Sequence, residues 1–548
     1  MKTFLISLLL GALRLVGLNT GYASPALGAY ANPLVSTLAN YVSGNASVQQ
    51  QLWIDRVLDT NGASIQSTPF ADGMIGRATA GKPASNSQLQ KAVVEITDTS
   101  KVRGDTINIY SEAGIGGEGA TGDNARLGTE AQIVTGNMTV QIGNQLFAVG
   151  YKQSAVDKSM IGKSITQNSR LNDALRALHN KRKNDTIIWR MMAAAQGSAL
   201  GFGNANFVGT AGANPNILYP QGVSGRSALR STHTVDRPLI VYAGDYLPGL
   251  GAMPMDTTQD SGGSVGELFM FLSPDKALMD LESDPTNLQL MQYGADRGKD
   301  VNPVFQGGFT KFGGHGLYRW IHRDHANFDN IGSPLLPRAK LSGRGPAGGA
   351  GSAASLSSAF VATDVIYGGG TLTGADSGTT AQWFKHFSNA PVVMYGGIGN
   401  IAPTSTQVRW LMIIGSGGYS QFSFTVNDGN KITVASQVTS TCTAGGGTNY
   451  KHSAGDLIVE CSLAGQTFGR SLMFGAQAVV GGIGSINGSS ADPQSGRMVK
   501  QVNDLENDIS IGVEGCAGYS AVKRAGDGAY PGFVVIEHAV TVPGAPTV

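Results

Sequence analysis

The chain has 548 residues, of which 77 are glycine, with 39 basic and 38 acidic side chains and a formal net charge of +1. Glycine stands at roughly twice its usual share, and charged residues, at 14%, fall far below the usual ~25%, which excludes a coiled coil or long-helix protein. Glycine shows no period of three, which excludes collagen, and near-zero net charge argues against wrapping nucleic acid, where many phosphates must be neutralised. Length predicts two or three domains, and so little charge suits a protein whose surfaces are covered by partners.

The N-terminus reads MKTFLISLLLGALRLVGLNTGYAS. Lys2, the apolar run from Phe4 to Ala12 and the small residues at 23–24 form a signal-peptide pattern, interrupted by Arg14. Residues 1–24 are therefore either a cleaved signal or a structural arm. No later segment holds about 18 unbroken apolar residues, the length a membrane span needs. Residues 25–92 read as an arm with short helices; Ile54, Val57 and Leu58 share one face of a helix over 48–58. Val93–Thr97 predicts a short strand. Arg103-Gly104-Asp105 predicts a turn feeding a strand through Tyr110. Glycines at 114, 116, 117, 119, 122 and 128 predict a long loop, and 134–147 one or two strands.

Residues 168–196 hold no glycine or proline and many helix formers, predicting one long helix or two with a joint near Ser169. Leu171, Leu175 and Leu178 fall at offsets of four and three and predict an apolar stripe, with Arg176, Lys181, Arg182 and Lys183 outward. A glycine- and asparagine-rich loop over 200–233 follows, then a strand over 264–271. Ser273-Pro274-Asp275 predicts a helix start with Ser273 as cap. A second helix is expected over 285–296, and a turn then a strand over 307–321. Residues 338–360 (RAKLSGRGPAGGAGSAASLSSAF) predict a flexible glycine-rich loop. Residues 361–466 predict an inserted β-rich subdomain. Arg470–Val480 has a helical composition, and 509–519 and 532–539 predict buried strands that close the main domain.

No catalytic, cofactor-binding or metal-binding residues emerge. His322 and His325 form an HxxH pair without a third ligand. Ser264 sits in a formal GxSxG, but a loop precedes it and a strand follows, the reverse of a nucleophile elbow. Gly201-Phe202-Gly203 does not complete a dinucleotide fingerprint. The glycines of 111–128 lack the lysine and helix start of an anion cradle. Trp383, Phe384, Phe387 and Tyr395 suit packing better than sugar stacking. Sequons at Asn45, Asn137, Asn184 and Asn487 are near chance frequency. Cys442, Cys461 and Cys516 show no CxxC; Cys442 and Cys461 either pair or, the favoured reading, stay as buried thiols.

Four ordered segments resemble one family. Lys101-Val102-Arg103-Gly104-Asp105-Thr106-Ile107-Asn108 leads into the glycine-rich loop and Glu130. Asp275–Leu281 leads to Gln292, Ala295, Arg297-Gly298, Asn302-Pro303-Val304-Phe305, Gly307 and Gly316. Leu472–Ala478 is the third, and Asp508-Ile509, Gly512, Gly518, Lys523-Arg524 and Gly532–Ile536 make the last. Together they are similar to the major capsid proteins of N4-like short-tailed bacteriophages. The resemblance implies an α+β, HK97-like major capsid fold with an extended N-terminal arm, a long β-hairpin over 106–147, a spine helix over 168–196 and the inserted β-rich subdomain. It divides the chain into an arm (1–92), a peripheral domain with the first part of an axial domain (93–337), the glycine-rich loop (338–360), the insertion (361–466) and closing strands (467–548). The implied function is a virion shell assembled in the host cytoplasm, non-enzymatic and without cofactor or membrane. The implied partners are further copies in pentamers and hexamers, portal and scaffolding proteins, a decoration or cement protein, and double-stranded DNA held on the inner face without sequence specificity. The competing reading is a secreted glycine-rich β binding or adhesion protein.

Overall fold

The computed structural model describes residues 70, 73–82, 84–102, 104–112, 135–142, 151–154, 168–195, 216–220, 223, 228–256, 267–284, 311–312, 315–320, 335, 338–345, 365–368, 409–427, 431–442, 451–485, 495–503, 508–524 and 529–540. Of these, 151–154, 168–175, 500–503 and 508–512 belong to one compact unit and the rest to a second.

The chain begins with β1 (Ile75–Thr79), a single turn α1 (Asn86–Leu89) and β2 (Val93–Val102). The Ser85 amide donates to Gln88 Oε1 (2.9 Å), half of a capping box. β3 (Thr106–Glu112) and β4 (Thr135–Gln141) form a hairpin paired over seven residues. The turn into it needs Gly104, whose φ of +93° lies in the left-handed region. After β5 (Tyr151–Ser154) comes the long helix α2 (Asn168–Ala195), as its glycine-free run predicts, and then β6 (Ile217–Leu218). Helix α3 (Arg237–Leu250) starts where Asp236 Oδ1 accepts the Leu239 amide (2.9 Å) and stops at Gly251, again at φ +93°. β7 (Met255–Asp256), β8 (Glu267–Leu268), β9 (Met270–Pro274), α4 (Asp275–Ser283), β10 (Lys311–Phe312) and β11 (His315–Trp320) follow.

The remaining elements are strands: β12 (Arg338–Gly345), β13 (Val365–Gly368), β14 (Arg409–Gly415), β15 (Gly418–Asn427), β16 (Lys431–Cys442), β17 (Leu457–Cys461), β18 (Phe468–Phe474), β19 (Val479–Ser485), β20 (Ser495–Asn503), β21 (Asp508–Gly515), β22 (Ala517–Ala521) and β23 (Phe533–Ala539). Within the first unit, β5 pairs antiparallel with the start of β21, from Asp508↔Ser154 to Ile511↔Tyr151.

Three assemblies organise the second unit. A four-stranded sheet runs β1-β2-β19-β22, a six-stranded sheet runs β10-β11-β9-β18-β23-β6, and β12-β13-β16-β15-β14-β17 close into a barrel. Period-2 alternation in the six-stranded sheet feeds two cores. Phe468, Leu472, Phe474, Phe533 and Val535 point to one, shared with Ile187, Ile188, Trp189 and Met192 of α2. Met473, Val534 and Ile536 point to the other, covered by α3 and α4. Each buried Leu or Phe side chain contributes about 1.5–3 kcal/mol. The barrel is filled by Leu341, Ile366, Leu411, Ile413, Phe422, Phe424, Ile432, Val434 and Ile458. Register shifts between β15 and β16 bend these strands, as closure requires.

Several expectations need correction. Arg470–Val480 is no helix: it is β18, a turn at Gln477 (φ 56°) and the start of β19. β18 lies between β9 and β23, buried along its length, so its apolar run is that of a central strand, which composition cannot separate from a buried helix. The glycine-rich loop expected over 338–360 begins as strand β12, which pairs with both β13 and β17, so the barrel starts at Arg338 and not at residue 361. Ser273 does not cap α4; Pro274 occupies that place without a side-chain bond, and Ser273 bonds to Ser471 instead. Lys183 is buried, not outward, because every residue of α2 from Lys183 to Trp189 is enclosed. The side chains of Leu171, Leu175 and Leu178, and the expected helices at 48–58 and 285–296, lie outside the described residues.

Candidate functional site

Two buried charge networks tie the second unit together, and each begins with a charged residue inside an apolar strand. In β2 the sequence Val-Val-Glu-Ile places Glu95 fully out of solvent. Lys183 of α2 forms an ion pair with Glu95 Oε1. Tyr519 of β22 donates its hydroxyl to the same oxygen (2.8 Å), and Arg77 of β1 places Nε 3.6 Å from Oε2. Gly481 of β19 stands opposite both Glu95 and Tyr519. A Cβ there would lie 2.7 Å from the Tyr519 ring, so the glycine lets the phenol cross β19 to reach Glu95. His179, one turn before Lys183, is pushed down to about 4 by burial first and by the Lys183 charge second, with Glu95 opposing.

The second network joins the barrel to the six-stranded sheet. Arg470 of β18 faces Glu537 of β23 in register and donates from Nε to its Oε1 (3.3 Å). Its Nη2 donates to Glu460 Oε2 on barrel strand β17 (2.8 Å). Tyr219 donates to the other oxygen of Glu537 (3.0 Å), and the Arg470 guanidinium lies 5.2 Å from the centre of the Phe468 ring. Two carboxylates and a ring face offset the cost of burying the cation, and the Tyr219 phenol bonds in turn to Glu537.

Beside it runs a hydrogen-bond chain from Ser273 Oγ to Ser471 Oγ (2.7 Å) and on to His538 Nε2 (2.8 Å), with His538 Nδ1 against the Ala539 carbonyl (3.2 Å). Burial pushes His538 down to about 4, so the ring is neutral near pH 7, with Nδ1–H donating to the carbonyl and Nε2 accepting from Ser471. The serine–histidine contact has the form of an activated nucleophile. Both residues are fully buried, however, and a carbonyl stands where a triad would place a carboxylate. It is a cross-strand brace.

The residues weighed from sequence fare as follows. Ser264, His322, His325, Gly201–Gly203, Trp383, Phe384, Phe387 and Tyr395 lie outside the described residues. The turn at Gly104-Asp105 is present: the Val102 amide donates to Asp105 Oδ2 (3.0 Å) and the Ile142 amide to the Asp105 carbonyl (2.8 Å). Asn184 is no glycan acceptor in the folded chain, being fully buried with its Oδ1 taken by the Phe70 amide (2.9 Å). Cys461 and Cys516 are buried free thiols, so Cys442 and Cys461 do not pair, and burial pushes the Cys461 thiol well up. Among the described residues no group of three or more His, Cys, Asp or Glu is placed to hold a metal ion. The networks were missed from sequence, although their signal is there: a lone charge flanked by apolar residues in VVEIT, LIVEC, FGRSLMF and FVVIEHA.

Residues 55–319, slightly less than half of the chain, match the protein family described as phage capsid protein. That segment is similar to phage capsid proteins. No curated protein matches its sequence. Among solved structures it is similar to the capsid of Ralstonia phage GP4, at 13% identity and a TM-score of 0.47 over 90% of this chain and 96% of that one. It is also similar to the acid-stable capsid of Helicobacter pylori bacteriophage KHP30 (12%, 0.43, 90% and 98%) and to that of cyanophage Pam1 (12%, 0.45, 89% and 95%). Among the described residues no helix is long and apolar enough to cross a membrane.

Proposed function

We propose that this chain is the major capsid protein of a short-tailed phage of the N4-like type, and that it self-assembles into an icosahedral shell around the phage genome. The observation that carries the reading is the capsid family match over 55–319, within which the first two resembling segments fall. In this reading the architecture is HK97-like: 1–92 is the arm, the β3–β4 hairpin lies in the peripheral domain, α2 is the spine, and the barrel is the inserted subdomain. Subunits meet in pentamers and hexamers about closed symmetry axes. Portal, scaffolding and decoration proteins, and double-stranded DNA on the inner face, are the further partners. The shell forms in the host cytoplasm and ends in the virion.

Light scattering and negative-stain microscopy of the purified chain test this. Closed shells or ring capsomers are expected. A sharp monomer at micromolar concentration, with no larger species on adding scaffold or a crowding agent, refutes it.

A further inference from the structure

Among the described residues, the apolar cluster that fills the barrel shares no member with either cluster of the six-stranded sheet. Polar bonds cross between the two bodies. Arg470 of the sheet reaches Glu460 at one end of β17, where Glu460 stands opposite the inward residue Leu411. The chain enters the barrel after Leu335, whose carbonyl accepts the Arg470 amide (2.7 Å). It leaves through Ser462, whose hydroxyl donates to the Leu229 carbonyl (3.2 Å), while Gln421 Nε2 donates to the Ser462 carbonyl (2.9 Å). Arg470 thus meets the entry crossing through its amide and the exit strand β17 through Glu460. A buried ion pair fixes orientation but adds little net stability, because desolvation offsets its Coulomb attraction. Each body is held by its own apolar burial, which the junction does not supply.

We propose that Arg470 is a latch: its fork to Glu460 and Glu537 sets the seating of the barrel on the sheet, and the barrel swings as a rigid body when the Glu460 arm lets go. The hinges are the two crossings, near Leu335 and over 462–467. A shell subunit that must fit non-equivalent neighbours would use such a motion, but the latch stands on the junction geometry and holds whether or not the chain builds a shell.

Hydrogen exchange on the full-length chain at neutral pH tests the latch. In the wild type, amides of 462–467 are expected to exchange ~10-fold or more faster than those of 411–414 in the barrel and 533–536 in the sheet. Glu460→Gln should speed the junction by a further ~10-fold and leave both cores unchanged. Spin labels at Ser453→Cys and Tyr242→Cys, in a Cys442→Ser background, should give one narrow distance in the wild type and a second population in Glu460→Gln. Junction amides that exchange in step with either core in the wild type would overturn the proposal. So would barrel strands that lose protection together with the junction, or a distance distribution that Glu460→Gln does not change. Arg470→Met leaves two carboxylates buried together; if it fails to fold, the wild-type and Glu460→Gln measurements decide alone.

Discussion

Removing the Lys183 ammonium tests the buried network most directly. The Lys183 side chain is 5% exposed and that of Glu95 is fully buried, so Lys183→Met strands a carboxylate whose remaining contacts are the Tyr519 hydroxyl and the largely exposed Arg77. Breaking one side of a buried pair costs about 3–5 kcal/mol, because the partner keeps its desolvation penalty without the compensating attraction. Glu95→Gln alone should cost a similar amount by leaving the ammonium unpaired. The double variant Lys183→Met/Glu95→Gln removes both charges and keeps an acceptor for Tyr519, so it should lie within about 2 kcal/mol of the wild type. Urea unfolding followed by tryptophan fluorescence reads this well, since Trp189 and Trp320 are buried in the core that α2 packs into. A Lys183→Met loss of about 0.5 kcal/mol or less, the size expected of a surface charge, would refute the buried pairing. Strictly additive single costs in the double variant would refute the coupling.

Acid should destabilise the folded chain through its buried histidines. His538 and His179 fall from 6.5 to about 4 on folding, so the unfolded chain binds more protons between those values; stability is full above pH 6.5, falls toward pH 4 and then levels. Each contributes about 3 kcal/mol, and His538→Asn should flatten the pH dependence of the melting temperature between pH 4 and 6.5 relative to the wild type. Gly481→Val drives a side chain into the Tyr519 ring and should cost about 1–3 kcal/mol in urea unfolding, while the same change at the exposed, unconfined Gly249 should not disturb the Tyr519–Glu95 bond. Deleting 338–461 with a short linker should leave a soluble core. Deleting 361–466 should not, because it strands β12 with both of its partners removed; solubility and circular dichroism of the two deletions check the boundary.

The sequence by itself determined the local elements whose signals are local. A glycine-free run set the bounds of α2 nearly to the residue, and Gly104 with Asp105 wrote the turn before the hairpin. The ordered segments resemble the capsid family on sequence alone. Tertiary structure decided the rest. FGRSLMF is apolar enough for a helix or a strand, and only its place between β9 and β23, with both faces covered, made it a strand. RAKLSGRG carries loop composition, yet β13 and β17 offered two open edges whose backbone groups it satisfied. Lys183 looked like one more outward base in a basic run, until Glu95, 88 positions earlier, met it in the core. Burial of a charge depends on a partner brought from far along the chain, and spacing within one helix carries no record of that partner.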